Sequence, residues 1–154
     1  MYQHLSETSK AVLKLASKKA RTQGLEYIGT EHVLLAILEY GMGLGAQILD
    51  RFGVTISLVE KMVHDFSRQG MEESLVLGRL PVTPHFKRVI SVALEEAELF
   101  NDRKVGTEYL VLAILREKGC IAEKILRRLA VKVDDARIMV AELQGRSAPY
   151  PKEH

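Results

Sequence analysis

The sequence predicts an all-α fold of eight helices, arranged as two tandem four-helix repeats that pack about a pseudo-two-fold axis. Segment 29–38 occurs again at 106–115, and apolar residues recur at helical spacing in both halves, without a run of alternating β-branched residues. Residues 5–63 align without a gap with residues 82–140, 77 positions later, and 17 of the 59 aligned positions are identical. This alignment is typical of a tandem duplication.

Composition places the chain among folded soluble proteins of single-domain size. It has 154 residues, of which 47% are apolar and 27% are charged. The 22 basic and 20 acidic residues are interspersed along the sequence, and no apolar run approaches the ~20 residues of a membrane span. The single cysteine, Cys120, fits a reducing compartment. We therefore expect a cytoplasmic protein that binds neither nucleic acid nor a membrane.

Four helices are predicted in the first half, over about residues 5–23, 30–40, 44–52 and 55–68. Ser6 is the expected N-cap of the first helix and Thr30 that of the second. Residues 33–38 are apolar on all sides, so the second helix is expected to lie at the centre of the fold.

The second half repeats this pattern after a connector. Residues 69–82 contain glycine and proline and lack a clear period, so they predict the connector. Thr83 followed by Pro84 is a helix-start signal, and Thr107 is the expected N-cap of the sixth helix. We expect one domain over residues 1–144, with repeat one at about 5–66, repeat two at about 82–143, and a linker or free tail at 145–154.

The strings Ile-Gly-Thr-Glu-His at 28–32 and Val-Gly-Thr-Glu-Tyr at 105–109 each precede an aliphatic helix. With the duplication, they make the sequence resemble the Clp N-terminal repeat domain, most closely that of the ClpC branch of the Clp AAA+ unfoldases. The resemblance implies a non-catalytic, cofactor-free domain, monomeric in isolation. It would receive protein substrates and adaptor proteins and pass them to an ATPase ring, whose partner peptidase degrades them.

ClpC-type domains also bind phosphorylated arginine side chains at two equivalent sites. The resemblance assigns Ser6 and Glu31 to the first site, and Thr83 and Glu108 to the second. A hydroxyl at a helix N-terminus suits the phosphoryl group, and a carboxylate suits the guanidinium group. Tyr109 stands where the family has a histidine.

Ordinary folding roles compete with this assignment. Hydroxyl residues before helices are common N-caps, and acids such as Glu31 and Glu108 are favoured in a first helical turn. Cys120 is interpreted as a small residue near a helix start, and His32 as a helix-terminal packing residue. The histidines lack the spacing of a zinc site, so no metal is expected. The acidic residues Glu95, Glu96 and Glu98 are interpreted as a solvated face.

Other function classes have weaker support from the sequence. No Gly-x4-Gly-Lys-Ser/Thr phosphate loop is present, so the chain is not expected to hydrolyse ATP by that mechanism. No nucleophile–base set stands out. A stand-alone Clp accessory or adaptor protein and a small-ligand-binding regulatory protein remain the alternatives to a docking domain.

Overall fold

The computed structural model describes residues 2–22, 24, 27–67 and 82–147. Most of the predicted connector and the tail beyond residue 147 lie outside these ranges. Within them the chain forms helices and no strand, which confirms the all-α class. A 3-10 turn at Tyr2–His4 precedes α1 (Glu7–Thr22), α2 (Thr30–Tyr40), α3 (Leu44–Arg51), α4 (Ile56–Ser67), α5 (Pro84–Leu99), α6 (Thr107–Arg116), α7 (Ile121–Arg128) and α8 (Val133–Leu143).

The helices repeat with the offset of the sequence. Each helix of the second half, α5 to α8, begins 77 residues after its counterpart in the first half, and α1 and α5 are both 16 residues long. The contacts repeat as well: α3 packs on α6 as α7 packs on α2, and α1 packs on α6 as α5 packs on α2. The predicted four-helix repeats and their pseudo-two-fold arrangement are therefore confirmed.

The two aliphatic helices lie at the centre of the molecule. α2 and α6 touch each other, and each also packs against helices of both repeats. Residues 33–37 of α2 and 109–114 of α6 are almost fully buried, as their apolar sequence predicts. Because neither repeat alone surrounds its own central helix, one hydrophobic core spans both repeats.

Two short parallel contacts tie the start of each repeat to the other repeat. Leu5 pairs with Val105, and Val82 pairs with Ile28. Leu5 and Val82 are equivalent positions, and so are Ile28 and Val105, so the two contacts are related by the pseudo-two-fold axis. The segment before α1 thus lies beside the segment before α6, and the segment before α5 beside the segment before α2.

The roles predicted for Thr30 and Thr107 are wrong. The N-caps of α2 and α6 are Gly29 and Gly106, and each threonine is the first residue of its helix. The Thr107 hydroxyl accepts a hydrogen bond from the backbone N–H of Gly45 in α3, at 2.8 Å. The threonines therefore satisfy helix starts of the opposite repeat instead of their own.

Thr30 makes the equivalent contact, since its hydroxyl accepts from the backbone N–H of Ala122 in α7, at 3.2 Å. Ala122 is the counterpart of Gly45. Both donors belong to the four N–H groups that the first turn of a helix leaves without an intrahelical acceptor. The two threonines therefore join the repeats through matching hydrogen bonds.

No single helix of the described residues has the length and apolar character of a membrane span. α2 and α3 reach that length only together, and they are bent by 93° relative to each other.

Candidate functional site

Ser6 and Thr83 cap the long first helices of the two repeats, as the sequence predicts. The Ser6 hydroxyl accepts from the Ser9 backbone N–H at 3.1 Å, and the Thr83 hydroxyl accepts from the Phe86 backbone N–H at 3.0 Å. Each hydroxyl keeps its own hydrogen, which can be donated to an anion at the helix start.

Backbone hydrogen bonds place each of these hydroxyl residues beside the other repeat. The Ser6 N–H donates to Val105 O and the Thr83 N–H donates to Ile28 O, both at 3.1 Å. Val105 leads directly into the helix start that carries Glu108, and Ile28 into the one that carries Glu31. The resemblance pairs each hydroxyl residue with the glutamate of its own repeat, whereas these bonds place it beside the glutamate-bearing helix start of the other repeat. We name the crossed pairs the Ser6/Glu108 site and the Thr83/Glu31 site.

The glutamate of each Gly-Thr-Glu string lies close against the glycine two residues before it. A Cβ atom at Gly29 would lie 2.3 Å from Oε1 of Glu31, and one at Gly106 would lie 2.2 Å from Oε1 of Glu108. Each carboxylate is therefore folded back over its own helix start, in the space that any side chain at the glycine position would occupy. The glycine and the glutamate form one local unit.

Glu31 is enclosed in repeat one. Its side chain is almost fully buried, and the Tyr27 hydroxyl donates a hydrogen bond to its Oε2 at 3.1 Å. The neighbouring His32 is also buried, and its Nδ1 accepts from the Gly29 N–H at 2.9 Å. Burial, followed by the positive charge of Lys19, lowers the pKa of His32 to about 4. His32 is thus a neutral part of the helix cap, consistent with a packing role.

Glu108 has different neighbours in repeat two. Its Oε2 accepts from Gln144 Nε2 at 2.9 Å, and the same amide nitrogen lies 3.0 Å from the Tyr109 hydroxyl. Burial raises the pKa of Glu108, and the hydrogen bonds from its own backbone N–H and from Gln144 partly oppose that rise. The two sites therefore share their helix starts but not their surroundings.

A cluster beside Glu108 was not predicted from the sequence. Tyr109 donates its hydroxyl hydrogen to Asp102, and its ring packs on Phe100 with 5.3 Å between the ring centroids. Burial, followed by the bond to Asp102, raises the pKa of Tyr109. Arg146 donates to Asp102 Oδ2 at 3.2 Å. The only signal in the sequence was the change from the family's histidine to Tyr109, which gives no indication of the partners.

The helix starts that could hold an anion differ between the two sites. The first turn of α1 carries Glu7, whose negative charge opposes an anion. The first turn of α5 has Pro84 and His85 and no acid. The His85 Nδ1 lies 2.6 Å from Oε2 of Glu117, so an acid also lies beside the start of α5.

The predicted solvated acidic face is wrong for one of its three residues. Glu96 is fully buried, and its Oε2 accepts from Arg116 and from Arg137, each at 2.9 Å. Glu95 and Glu98 are exposed, and Glu95 pairs with Arg116 at 3.2 Å. The counterpart of the Glu96–Arg116 pair in repeat one joins Lys19 to Glu39, with the charges exchanged.

A cleft lies beside each of these pairs. In repeat one a cleft of about 190 Å³ is lined by Leu15, Lys18, Lys19, Thr22 and Glu39. The related cleft of repeat two, about 440 Å³, is lined by Glu95, Glu98, Leu99, Arg116 and Arg137. Exposed cations also follow one face of α1, although they are separated by other residues in the sequence. They are Lys10, Lys14, Lys18 and Arg21.

The remaining candidate residues have structural roles. Cys120 is buried and caps α7, where its Sγ accepts from the Glu123 backbone N–H at 3.4 Å. This agrees with the predicted role of a small residue near a helix start. Among the described residues, no group of three or more His, Cys, Asp or Glu side chains has an arrangement suited to a metal ion.

Comparison with known proteins shows relatives along nearly the whole chain. The ClpC/MecB protein of Bacillus subtilis, described as a negative regulator of genetic competence, is 33% identical over 145 residues, which cover 94% of this chain and 18% of that protein. A Porphyra purpurea homologue of the ATP-binding subunit ClpA of the ATP-dependent Clp protease is 33% identical over 152 residues, covering 96% of this chain and 18% of that protein. The chain thus spans about 18% of the length of these relatives.

Solved structures share the fold at lower sequence identity. The N-terminal domain of ClpD from Arabidopsis thaliana superimposes with a TM-score of 0.71 at 18% identity, covering 94% of this chain and 97% of that one. The N-terminal domain of the ClpV ATPase from Escherichia coli gives a TM-score of 0.70 at 17% identity, covering 99% and 93% of the two chains.

The family model of the Clp repeat N-terminal domain matches residues 4–147, which include all eight described helices. Both halves of the duplication and both Gly-Thr-Glu helix starts lie within the match. The chain therefore belongs to the Clp repeat N-terminal domain family.

Proposed function

We propose that this chain is a non-catalytic docking domain that receives protein substrates and adaptor proteins for a ClpC-like unfolding and degradation machine. Family membership and relatives named as ATP-binding subunits of a Clp protease support this proposal.

We propose further that the domain recognises phosphoarginine at the Ser6/Glu108 and Thr83/Glu31 sites. The observation that carries this proposal is the crossed backbone pairing, which sets a capped helix N-terminus of one repeat beside the glutamate-bearing helix start of the other. The hydroxyl and the helix dipole attract the phosphoryl group, while the carboxylate accepts hydrogen bonds from the guanidinium group. Neither repeat supplies both parts of a site alone.

Calorimetry with free phosphoarginine tests the recognition. The native chain should bind it, Glu31→Gln together with Glu108→Gln should weaken binding at least tenfold, and Thr83→Val should weaken one site only. Thr83→Ser, which keeps the hydroxyl, is the matched control, and unmodified arginine is the ligand control. No binding by the native chain, or unchanged affinity in the double glutamate variant, would overturn the phosphoarginine proposal.

A decoy experiment tests the docking role separately. Added in excess, the chain should slow degradation of an arginine-phosphorylated protein by a complete ClpC-type protease, because it competes for the marked substrate. The Glu31→Gln, Glu108→Gln chain should not slow it. The native chain is added at concentrations at which it binds free phosphoarginine in the calorimetry. If degradation is then unchanged, the docking role is contradicted.

A further inference from the structure

Arg146 lies directly after α8 and is turned back onto repeat two. Gly145 adopts a left-handed conformation with φ 72°, and the Arg146 backbone N–H donates to Ala141 O at 2.9 Å. This is the hydrogen bond of a helix end closed by a left-handed glycine. The backbone therefore fixes the direction in which the Arg146 side chain leaves the helix.

The guanidinium group of Arg146 meets four different groups. Its Nη2 donates to Asp102 Oδ2 at 3.2 Å and lies 3.4 Å from the Tyr109 hydroxyl oxygen, and its Nε donates to Gln144 Oε1 at 2.7 Å. Its Cζ lies 5.5 Å from the centroid of the Phe100 ring. A carboxylate, a hydroxyl and an aromatic face together suit a planar guanidinium group better than the compact ammonium group of lysine.

The groups that receive Arg146 are held in place by the fold. Phe100 and Tyr109 are 1% and 0% exposed, and the Tyr109 hydroxyl fixes the Asp102 carboxylate. Asp102 and Arg146 themselves are more open, with side chains 37% and 38% exposed. The seat is therefore preformed on its inner side and reachable from solvent on its outer side.

This seat adjoins the Ser6/Glu108 site. The Gln144 amide that accepts from Arg146 through its oxygen donates through its nitrogen to Glu108 Oε2 at 2.9 Å. The positions 77 residues before Phe100 and Asp102 are Gln23 and Leu25, which supply neither a ring nor a carboxylate. The sequence therefore provides these two groups in repeat two alone.

We propose that Phe100, Asp102 and Tyr109 form a guanidinium-binding seat that the chain's own Arg146 occupies. An arginine side chain of a bound protein must displace Arg146 to enter it. The inference rests on the proposed function only for the identity of the natural ligand, since the seat itself is defined by contacts within this chain. Arg146 thus acts as an internal competitor for a seat that adjoins the Ser6/Glu108 site.

The experiment uses unphosphorylated arginine amide as the probe and observes the aromatic signals of Phe100 and Tyr109 by NMR. Arg146→Ala should bind arginine amide about tenfold more tightly than the native chain, because one partly exposed ion pair and one cation–π contact no longer compete. Lysine amide should bind weakly to both chains. Adding Asp102→Asn to Arg146→Ala should remove the gain.

Unchanged affinity in Arg146→Ala, or signal changes away from both rings, would overturn the inference. Thermal melts of each variant establish that a negative result comes from a folded chain. The phosphoarginine calorimetry keeps the two proposals distinguishable. Binding of arginine amide without binding of phosphoarginine would support the seat and overturn the phosphoarginine proposal. Binding of phosphoarginine without binding of arginine amide would support the phosphoarginine proposal and overturn the seat.

Discussion

At the scale of single residues, each letter of the Gly-Thr-Glu string has a separate physical reason. The glycine leaves room for the folded carboxylate, the threonine hydroxyl serves a helix of the opposite repeat, and the glutamate lies over its own helix start. These contacts give the string a role in folding in both repeats. The phosphoarginine proposal depends on its glutamates because each lies on a helix start beside the Ser6 or Thr83 cap of the other repeat.

The threonine bonds make a first stability prediction. Thr107→Val keeps the shape of the side chain but leaves the buried Gly45 N–H without its acceptor, so we expect a loss of about 1–3 kcal/mol in unfolding free energy. Thr107→Ser keeps the hydroxyl and should lose less than about 1 kcal/mol. Urea denaturation measures both, and equal losses would show that the hydroxyl contributes nothing.

His32 predicts a pH dependence. Its pKa is about 4 in the folded chain against 6.5 for the free side chain, so the unfolded state takes up the proton first as the pH falls. This contribution to stability is complete above pH 6.5 and is lost as the pH falls toward 4. Between pH 7 and 5 the loss should be about 2 kcal/mol.

Replacing the titrating group tests that prediction. His32→Asn retains an acceptor near the Gly29 N–H and should flatten the decline in urea midpoint between pH 7 and 5. His64→Asn, on the exposed face of α4, is the control and should keep the native slope. A His32→Asn chain that declines as steeply as the native chain would contradict the assignment.

At the scale of elements, the helices could be predicted from the sequence but the contacts of the candidate site could not. Residues 33–38 indicated a buried helix because no polar face was present. The 77-residue offset relates equivalent positions, yet it carries no information on which repeat each segment touches. The crossing of Leu5 to Val105 therefore had to come from the structure, as did the contacts of Arg146.

The turns after α3 and α7 provide a matched pair for an element-scale prediction. Gly53 and its counterpart Ala130 both adopt left-handed backbone angles, with φ 75° and 64°. A residue with a Cβ loses roughly 1–2 kcal/mol in this conformation, and a Cβ at Gly53 would touch nothing within 4 Å. Ala130→Gly should therefore stabilise the chain, and Gly53→Ala should destabilise it.

Thermal and urea unfolding measure this pair. We expect shifts of opposite sign, each about 0.5–1.5 kcal/mol, with the gain at Ala130 reduced by the greater backbone entropy of glycine in the unfolded state. Shifts of the same sign in both variants would show that local packing, not the backbone angle, determines the outcome.

At the scale of the whole molecule, the repeats are interdependent. Each central helix packs on both halves, and the helix starts of α3 and α7 obtain acceptors from the opposite repeat. A half of about 60 residues would bury only about 60% of its unfolded surface and would be marginally stable by itself. We therefore expect the repeats to unfold in one cooperative step.

Native-state hydrogen exchange on the intact chain checks this expectation. The slowest amides of α2 and α6 should report the same opening free energy, equal to that from urea denaturation. Thr107→Val should lower both values together, although its direct contact lies at one helix start. Clearly different values for the two helices would mean that the repeats open as separate units.

The exchanged charges of the Lys19–Glu39 and Glu96–Arg116 pairs have a consequence for the direction of docking. A body with true two-fold symmetry presents the same face after half a turn, so a long partner can bind it in two reversed directions with equal energy. Here the backbone keeps that symmetry, while cations line α1 and acids mark the end of α5. If the domain binds a charged polypeptide as proposed, we expect one direction of that polypeptide to be favoured, because the half-turn that superimposes the helices exchanges the charges it would meet.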